Sequence, residues 1–132
     1  MVKGVKSKKF GPPLWQIMFM MAMGLPEKVD LQNKEHKLKV KHLKIFYNNL
    51  KYITPCIFCR NYIKDTLEKE IPLDYSGKIE LMKTIYLWKK SVSDKLIAQG
   101  CKDIKKSPPF SVILKRYLSY HATCNPKLGT CV

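Results

Sequence analysis

The residues best suited to chemistry are Cys56 and Cys59, which form a Cys-x-x-Cys pair directly after Pro55. The pattern predicts a helix that begins at Cys56, where free backbone N–H groups and the helix dipole stabilise a thiolate. Two thiols one helical turn apart can close a disulfide ring, and Arg60 adds a positive charge beside them. A redox-active disulfide is therefore one hypothesis for this pair.

Two other roles remain open for the same cysteines. His121 and Cys124 could join Cys56 and Cys59 as the four ligands of a zinc ion. Alternatively, both thiols are buried and purely structural. A thioredoxin fold is disfavoured, because its Cys-x-x-Cys follows a strand in a βαβ unit and no strand pattern is visible in this chain.

The composition bounds the class of protein. The chain has 132 residues, a length typical of one domain, and 45% of them are hydrophobic, which excludes a mainly disordered chain. Its 25 Lys and Arg residues against 10 Asp and Glu residues give a net charge of +15. Such a charge attracts polyanions and acidic partners, but lysines are spread over the N-terminal arm and every predicted helix after the first, and no nucleic-acid motif is present. We therefore expect nucleic-acid binding to be at most nonspecific.

Apolar residues recur at helical spacing along the chain, and no segment alternates as a strand would. This pattern predicts an all-α fold, a four-helix bundle with a short fifth helix. The predicted helices cover about residues 12–23, 31–52, 56 onward, 78–98 and 110–120. They divide the chain into a basic N-terminal arm over residues 1–10, a helical domain over residues 11–123 and a cysteine-containing tail over residues 124–132.

The longest apolar run extends from Leu14 to Leu25 and is too short to cross a membrane, which takes about 20 apolar residues. With the lysines before it and the small residue Ala22 near its end, the run imitates a signal peptide. Pro12 and Pro13 favour the first turn of a folded helix instead. We therefore expect neither a membrane span nor a signal peptide.

Four motifs follow one another in a recognisable order. They are Gly11-Pro12-x-x-Trp15-x-x-Met18-Phe19-x-x-Ala22, Pro55-Cys56-x-x-Cys59, Val92-Ser93-Asp94-Lys95-Leu96 and the segment from Ser107 to Cys124. Together they resemble the Erv/ALR family of FAD-linked sulfhydryl oxidases, in the versions that large DNA viruses carry. The resemblance covers about residues 8–124.

This resemblance implies a helical bundle that binds FAD noncovalently and forms a homodimer. Cys56 would exchange disulfides with a protein thiol substrate, thioredoxin-like or acidic, and Cys59 would be the thiolate next to the flavin. Molecular oxygen would take up the electrons as hydrogen peroxide. A viral oxidase of this kind is expected in the host cytoplasm or in the virion. The alternative is a catalytically inactive relative with a structural role in the virion.

The resemblance also places the FAD site. Its residues would be Trp15, Phe19, Lys89, Lys90, Val92, Ser93 and Lys95. Phe19 replaces a family histidine, Lys89 and Lys90 replace a His-Asn pair, and Ser93 replaces an asparagine. The two lysines could offset the negative charges of the FAD pyrophosphate. No metal is implied.

The remaining cysteines are Cys101, Cys124 and Cys131. Many family members carry a further cysteine pair that shuttles electrons to the active pair, and Cys124 with Cys131 would serve as that pair or as a structural staple of the tail. Tyr86 occupies the place of the family's structural cysteine. Cys101 is therefore expected to be a free thiol, or else to pair with Cys124.

Overall fold

The computed structural model describes residues 4–132 and is mainly helical, as the sequence predicts. Five helices are followed by one small antiparallel hairpin. The third helix, α3, has three consecutive parts, of which the second is π-helical. The elements are α1 (Ser7–Ala22), α2 (Lys34–Ile53), α3 (Ile57–Tyr62, Ile63–Leu67 and Glu68–Glu70), α4 (Lys78–Ala98), α5 (Phe110–Leu118), β1 (Cys124–Asn125) and β2 (Thr130–Cys131).

The first helix begins at Ser7, so the prediction of a start at Pro12 is wrong. The backbone N–H of Phe10 bonds to the carbonyl of Lys6 at 3.3 Å, and this bond adds a turn ahead of the two prolines. Pro12 and Pro13 lie inside the helix. Because they follow the first turn closely, their missing N–H groups interrupt only the beginning of the helix.

The predicted N-terminal arm is therefore partly helical, and its first three residues lie outside the described residues. The backbone N–H of Val5 donates to the carbonyl of Pro55 at 2.9 Å. A Cβ atom on Gly4 would lie 2.9 Å from that carbonyl oxygen and 3.7 Å from Cα of Cys56, so glycine permits this close approach. The segment before α1 thus packs on the loop that carries the cysteine pair.

The bundle core joins α1, α2, α4 and α5. The ring of Phe19 stacks on the ring of Tyr117 with 4.9 Å between centroids, and this contact joins α1 to α5. Tyr47 of α2 donates its hydroxyl to the carbonyl of Met18 at 2.7 Å. Burial raises the pKa of Tyr47, so its hydroxyl keeps the proton that this bond requires. Other side chains at 2% exposure or less are Ala22, Leu25, Leu50, Leu67, Leu81, Met82, Ile85 and Trp88.

The third helix begins next to Cys56, which is its N-cap residue, as predicted for a helix that opens at this cysteine. Its π-helical turn widens the helix after Tyr62, and both Ile63 and Leu67 of that turn are buried. At its end, Glu68 accepts a hydrogen bond from Lys51 of α2 at 3.0 Å. These contacts attach the cysteine-bearing helix to the bundle.

The fourth helix has the bounds that its periodicity predicts, Lys78–Ala98. The Trp88 indole N–H donates to the carbonyl of Ile71 at 2.6 Å and fixes the connection from α3. The hydroxyl of Tyr86 donates to the carbonyl of Pro108, and its ring lies 5.5 Å from that of Phe110. Noncovalent contacts of Tyr86 therefore tie α4 to α5.

The tail after α5 contains a hairpin, where the sequence predicts only a loop. Cys124 pairs with Cys131 across the two strands, and the same two residues form a disulfide. Gly129 has a φ of +65°, a conformation that glycine adopts without strain. Residues 121–132 are all exposed, so the hairpin contributes nothing to the core. Strands of two residues are too short to show an alternating pattern in the sequence.

Candidate active site

The cysteine pair lies at the start of α3, on the loop that follows α2. Cys56 has extended backbone and caps the helix, and its Sγ accepts a hydrogen bond from the backbone N–H of Cys59 at 3.3 Å. The Sγ atoms of Cys56 and Cys59 lie 2.7 Å apart and are both free thiols. A disulfide has a sulfur–sulfur distance of about 2.05 Å, so a small movement closes the bond. The disulfide of the oxidised chain stays a prediction.

Hydrogen bonds make Cys56 the more acidic of the two thiols. Partial burial works to raise the pKa of Cys56, but three hydrogen bonds to its sulfur outweigh that effect. They come from the Cys59 thiol and from the backbone N–H groups of Cys59 and Phe58, and the charge of Arg60 adds to them. The pKa of Cys56 therefore lies below its ordinary value, and Cys56 is the more reactive thiol of the reduced pair.

Cys59 is shifted in the opposite direction. Burial, together with the hydrogen bond that it donates to Cys56 and the negative charge of Cys56, raises the pKa of Cys59 to about 12. The charge of Lys95 lowers this pKa but does not cancel the rise. When the reduced pair loses one proton, the thiolate forms on Cys56 and the remaining proton stays on Cys59.

These shifts predict a pH-dependent order of alkylation. In the reduced chain at about pH 7, iodoacetamide should modify Cys56 before Cys59, because only the thiolate reacts. Reaction at Cys56 should rise with pH around a midpoint below that of an ordinary thiol, because the pKa of Cys56 is lowered. Peptide mapping by mass spectrometry measures both sites.

A matched variant separates the cause from simple access. Cys56→Ser removes the thiolate that raises the pKa of Cys59, so the alkylation midpoint of Cys59 should move to lower pH. The assignment is wrong if the parent chain is alkylated first at Cys59, or if the midpoint of Cys59 stays unchanged in the variant.

The loop before the pair is held in place by three hydrogen bonds. The Thr54 hydroxyl donates to the carbonyl of Leu50 at 2.6 Å. The guanidinium of Arg60 donates to the carbonyl of Thr54 at 2.7 Å, so its charge is fixed close to Cys56. With the bond from Val5 to Pro55, these contacts set the position of Cys56 relative to α2.

The fourth helix supplies the other flank of the pair. The Tyr62 and Ser91 hydroxyls are 2.7 Å apart, and the Lys95 ammonium lies 4.1 Å from the centroid of the Tyr62 ring. Because the charge of Lys95 also acts on Cys59, Lys95 lies on this flank of the cysteine pair, and its role in cofactor binding stays a prediction. An anion that formed beside Cys59 would be stabilised by this ammonium.

Two cations, Lys89 of α4 and Arg116 of α5, form what we call the Lys89–Arg116 cluster. Lys89 is half-buried, and burial followed by the charge of Arg116 lowers the pKa of Lys89. The described residues contain two ion pairs, Lys51 with Glu68 and Lys90 with Asp94, so neither cation of this cluster has a carboxylate partner among them. Two cations without a counter-ion repel each other, and a bound anion would relieve that repulsion.

The other predicted cofactor residues on α4 have different surroundings. Lys90 donates to Asp94 at 2.7 Å on the exposed side of the helix, one turn away. Ser93 is 7% exposed, and Val92 is half-buried against the core. Of the five residues that the sequence proposes on this helix, Lys89 and Lys95 therefore have the charge environments best suited to an anionic ligand.

The two aromatic residues predicted on α1 differ in exposure. Trp15 is half-buried at the margin of the core. Phe19 is 1% exposed, and its ring stacks on Tyr117 within the core. Since the surrounding core side chains enclose the ring, no face of Phe19 is open to a ligand in this structure.

The disulfide in the tail determines the pairing of the three remaining cysteines. Cys124 is bonded to Cys131, so it does not join Cys56, Cys59 and His121 in a zinc site. No cluster of three or more potential metal ligands occurs among residues 4–132. Cys101 is exposed and free, as predicted, and does not pair with Cys124. A shuttle role for the tail disulfide stays a prediction.

Sequence reasoning did not identify Tyr62, Ser91 or Arg116 as site residues. The spacing of Ser91 and Lys95 on one face of α4 is a usable signal, because residues four apart lie side by side on a helix. Nothing in the sequence separates Arg116 from the many other cations of the chain. Its role depends on how α5 packs against α4, which is a tertiary property.

A search of protein-family models finds no family that matches this chain, and a search of curated proteins finds no relative. Within residues 4–132, every helix is too short or too polar to cross a membrane. The functional interpretation therefore depends on the geometry of the cysteine pair and on the cations that flank it.

Proposed function

We propose that this protein is an FAD-linked sulfhydryl oxidase with an Erv/ALR-like helical bundle. One observation carries the proposal: two thiols 2.7 Å apart at the start of a helix, of which Cys56 accepts hydrogen bonds and Cys59 donates one. A structural pair of buried thiols has no need of this asymmetry. A pair that exchanges disulfides does, because Cys56 must leave the mixed disulfide as a thiolate, and a thiol with a lowered pKa leaves faster.

The exchange begins with the Cys56–Cys59 disulfide and a substrate dithiol. A substrate thiolate attacks Sγ of Cys56, the Cys56–Cys59 bond breaks, and Cys59 leaves as a thiolate that takes up a proton. The second substrate thiol then attacks the substrate sulfur of the mixed disulfide, and Cys56 leaves as a thiolate. The substrate becomes a disulfide, and the pair holds two electrons in the form that the structure describes.

Reoxidation of the pair requires a two-electron acceptor. FAD, when bound, supplies that acceptor and passes the electrons to oxygen. Lys89 and Arg116 fit the pyrophosphate of FAD, because their charges act on each other and neither has a carboxylate partner among the described residues. Lys95 fits a developing negative charge beside Cys59, since its charge already acts on that sulfur. Trp15 offers a half-buried ring surface for stacking.

The FAD site of this proposal therefore differs from the one that the resemblance implies. Arg116 enters it, and Phe19 leaves it for the core. Lys90 also leaves it, because Asp94 neutralises its charge. Two cations, Lys89 and Arg116, support the part of the site that would bind the phosphates. The positions that hold the adenine and ribose in the family include Phe19, which is buried in the core, and Lys90, which is paired with Asp94.

Removing either cation of the Lys89–Arg116 cluster should weaken FAD binding. A hydrogen bond to a charged group contributes about 1.5–3 kcal/mol, so Arg116→Ala should raise the Kd for FAD by about tenfold or more. Isothermal titration calorimetry measures the Kd. Lys83→Ala, at an exposed position of α4, is the control and should leave it unchanged.

The stability of the free chain gives an independent check on the same cluster. Arg116→Ala removes a like charge from Lys89, so the FAD-free variant should unfold at the same or a higher temperature than the parent. The cluster does not bind FAD if Arg116→Ala and Lys83→Ala have the same Kd.

Oxygen uptake with dithiothreitol tests the whole proposal. The FAD-loaded chain should oxidise one dithiol for each peroxide formed, since O₂ takes up the two electrons and two protons of one dithiol. Cys101→Ser removes an exposed thiol outside the site and should keep this activity. A chain that binds no FAD and consumes no oxygen would instead support the second candidate, an inactive Erv-like protein with a structural role in a virion. The core position of Phe19 favours that candidate.

The other parts of the proposal follow from the same resemblance. The substrate is a protein thiol, molecular oxygen is the final acceptor, and the setting is a host cytoplasm or a virion. The homodimer stays a prediction. Nonspecific nucleic-acid binding also stays a prediction and should vanish at moderate salt concentration.

A further inference from the structure

An apolar groove of about 330 Å³ lies between α1 and α2 and includes Pro55, the residue before Cys56. We call it the Pro55 groove, since Pro55 forms its end and precedes Cys56. Except for Thr54, its lining is entirely apolar. Its main lining residues are Phe10, Leu14, Ile17, Leu50, Ile53 and Pro55.

Two large apolar side chains of this groove are exposed to solvent and are not buried in the bundle core. Ile53 is 65% exposed and Ile17 is 40% exposed, although both are large apolar residues. Exposed apolar surface with a charged rim is typical of an interaction site. A volume of about 330 Å³ is near the lower end of the range for ligand pockets and accommodates a few side chains rather than a whole helix.

The charges around the groove have one sign. The backbone N–H of Val5 donates to the carbonyl of Pro55, and Phe10 lines the groove. The lysines at the start of α1 lie between these two residues in the sequence. Residues 4–10 and 52–64 contain no carboxylate. Their cations are Lys6, Lys8, Lys9, Arg60 and Lys64.

We propose that the Pro55 groove binds the apolar side chains next to a reactive cysteine in an acidic segment of the substrate protein. The inference rests on the proposed oxidase function and names the class of its substrate. The apolar lining binds the side chains beside that cysteine, and the cationic rim attracts the carboxylates that flank them. Because Pro55 lines the groove and precedes Cys56, a cysteine beside the bound side chains lies within reach of Cys56, the sulfur that the substrate thiolate attacks.

A second copy of this chain suits the groove less well. Each copy carries a net charge of +15, and the same five cations would face the partner's surface of equal sign. Like charges brought together at an interface disfavour association. An acidic segment removes that repulsion and gains attraction from the same residues.

Binding of a cysteine-free peptide tests the groove without any need for FAD. The probe is a short fluorescein-labelled peptide with two leucines and a serine at its centre and glutamates on both sides, and fluorescence anisotropy gives its Kd for the full chain. Ile17→Ser should raise the Kd by about tenfold, the loss typical of an interface hot spot. Ile79→Ser is the matched control, since both isoleucines are 40% exposed and only Ile17 lines the groove.

Charge reversal tests the rim in the same assay. Lys6→Glu with Lys9→Glu should weaken binding by about tenfold or more, and Lys102→Glu with Lys105→Glu, in an exposed loop, should change it much less. A peptide with lysines in place of the glutamates should fail to bind. The proposal is overturned if Ile17→Ser binds as tightly as Ile79→Ser, or if the lysine peptide binds as tightly as the glutamate peptide.

Oxidation kinetics distinguish failure of the groove from failure of the oxidase function. Dithiothreitol is too small to need the groove, so Ile17→Ser should oxidise it at the parental rate while its KM for an acidic peptide dithiol rises. If the parent chain does not oxidise dithiothreitol, the oxidase function is wrong, whatever the anisotropy shows. If Ile17→Ser converts a dimer into a monomer in sedimentation and the parent does not bind the peptide, a second copy occupies the groove and the proposal is overturned.

Discussion

Cys59→Ser is expected to lower dithiol-dependent peroxide formation by at least about a thousandfold, the scale of loss for an essential catalytic group. The reason lies in the pair itself. In the variant Cys56 is a lone thiol, so no Cys56–Cys59 disulfide can form for a substrate thiolate to attack, and the substrate is not oxidised. The oxygen electrode measures the loss directly.

The trapped species distinguishes the roles of the two cysteines. With oxidised glutathione, the Cys56 thiolate of Cys59→Ser should attack the glutathione disulfide, expel one glutathione thiol and accumulate a mixed disulfide on Cys56, which intact-mass spectrometry detects. Cys56→Ser should lose the activity as well, but it should form much less adduct at about pH 7, because Cys59 is more buried and lacks the hydrogen bonds that activate Cys56. If the adduct forms on Cys59 in preference, the two roles are reversed. If both variants oxidise dithiothreitol at the parental rate, this pair is not the active site.

Phe19→Ala is expected to lower the free energy of unfolding by about 3–5 kcal/mol, the usual cost of removing a large aromatic side chain from a core. Phe19 is 1% exposed and its ring stacks on Tyr117, so the substitution leaves a cavity where α1 meets α5. Urea unfolding followed by circular dichroism measures the change without added ligand.

An exposed phenylalanine provides the control for this experiment. Phe58 is 76% exposed between the two cysteines, so Phe58→Ala should change the free energy of unfolding by no more than about 0.5 kcal/mol. The core role of Phe19 would be refuted if Phe19→Ala cost less than about 1 kcal/mol and instead abolished FAD binding. That result would restore the prediction that Phe19 contacts the flavin.

Local features of this chain can be predicted from its sequence. The bounds of α4 follow from a long apolar period that ends before Gly100, and both signals act within a few residues. The position of Cys56 at the beginning of a helix follows equally from Pro55 and the residues after it. Even so, the start of α1 at Ser7 was missed, because a turn ahead of two prolines leaves little trace in the sequence.

The tertiary structure decides which residues form the site. Trp15 and Phe19 belong to the same motif and, being four residues apart, lie on one face of α1. The packing of α5 nevertheless places Phe19 in the core and leaves Trp15 half-buried. Arg116 enters the proposed FAD site only because α5 brings its charge to Lys89. Likewise, the hairpin pairs Cys124 with Cys131 and thereby frees Cys101. Helix periodicity determines which face of a helix is buried, but contacts between distant segments determine what that face touches.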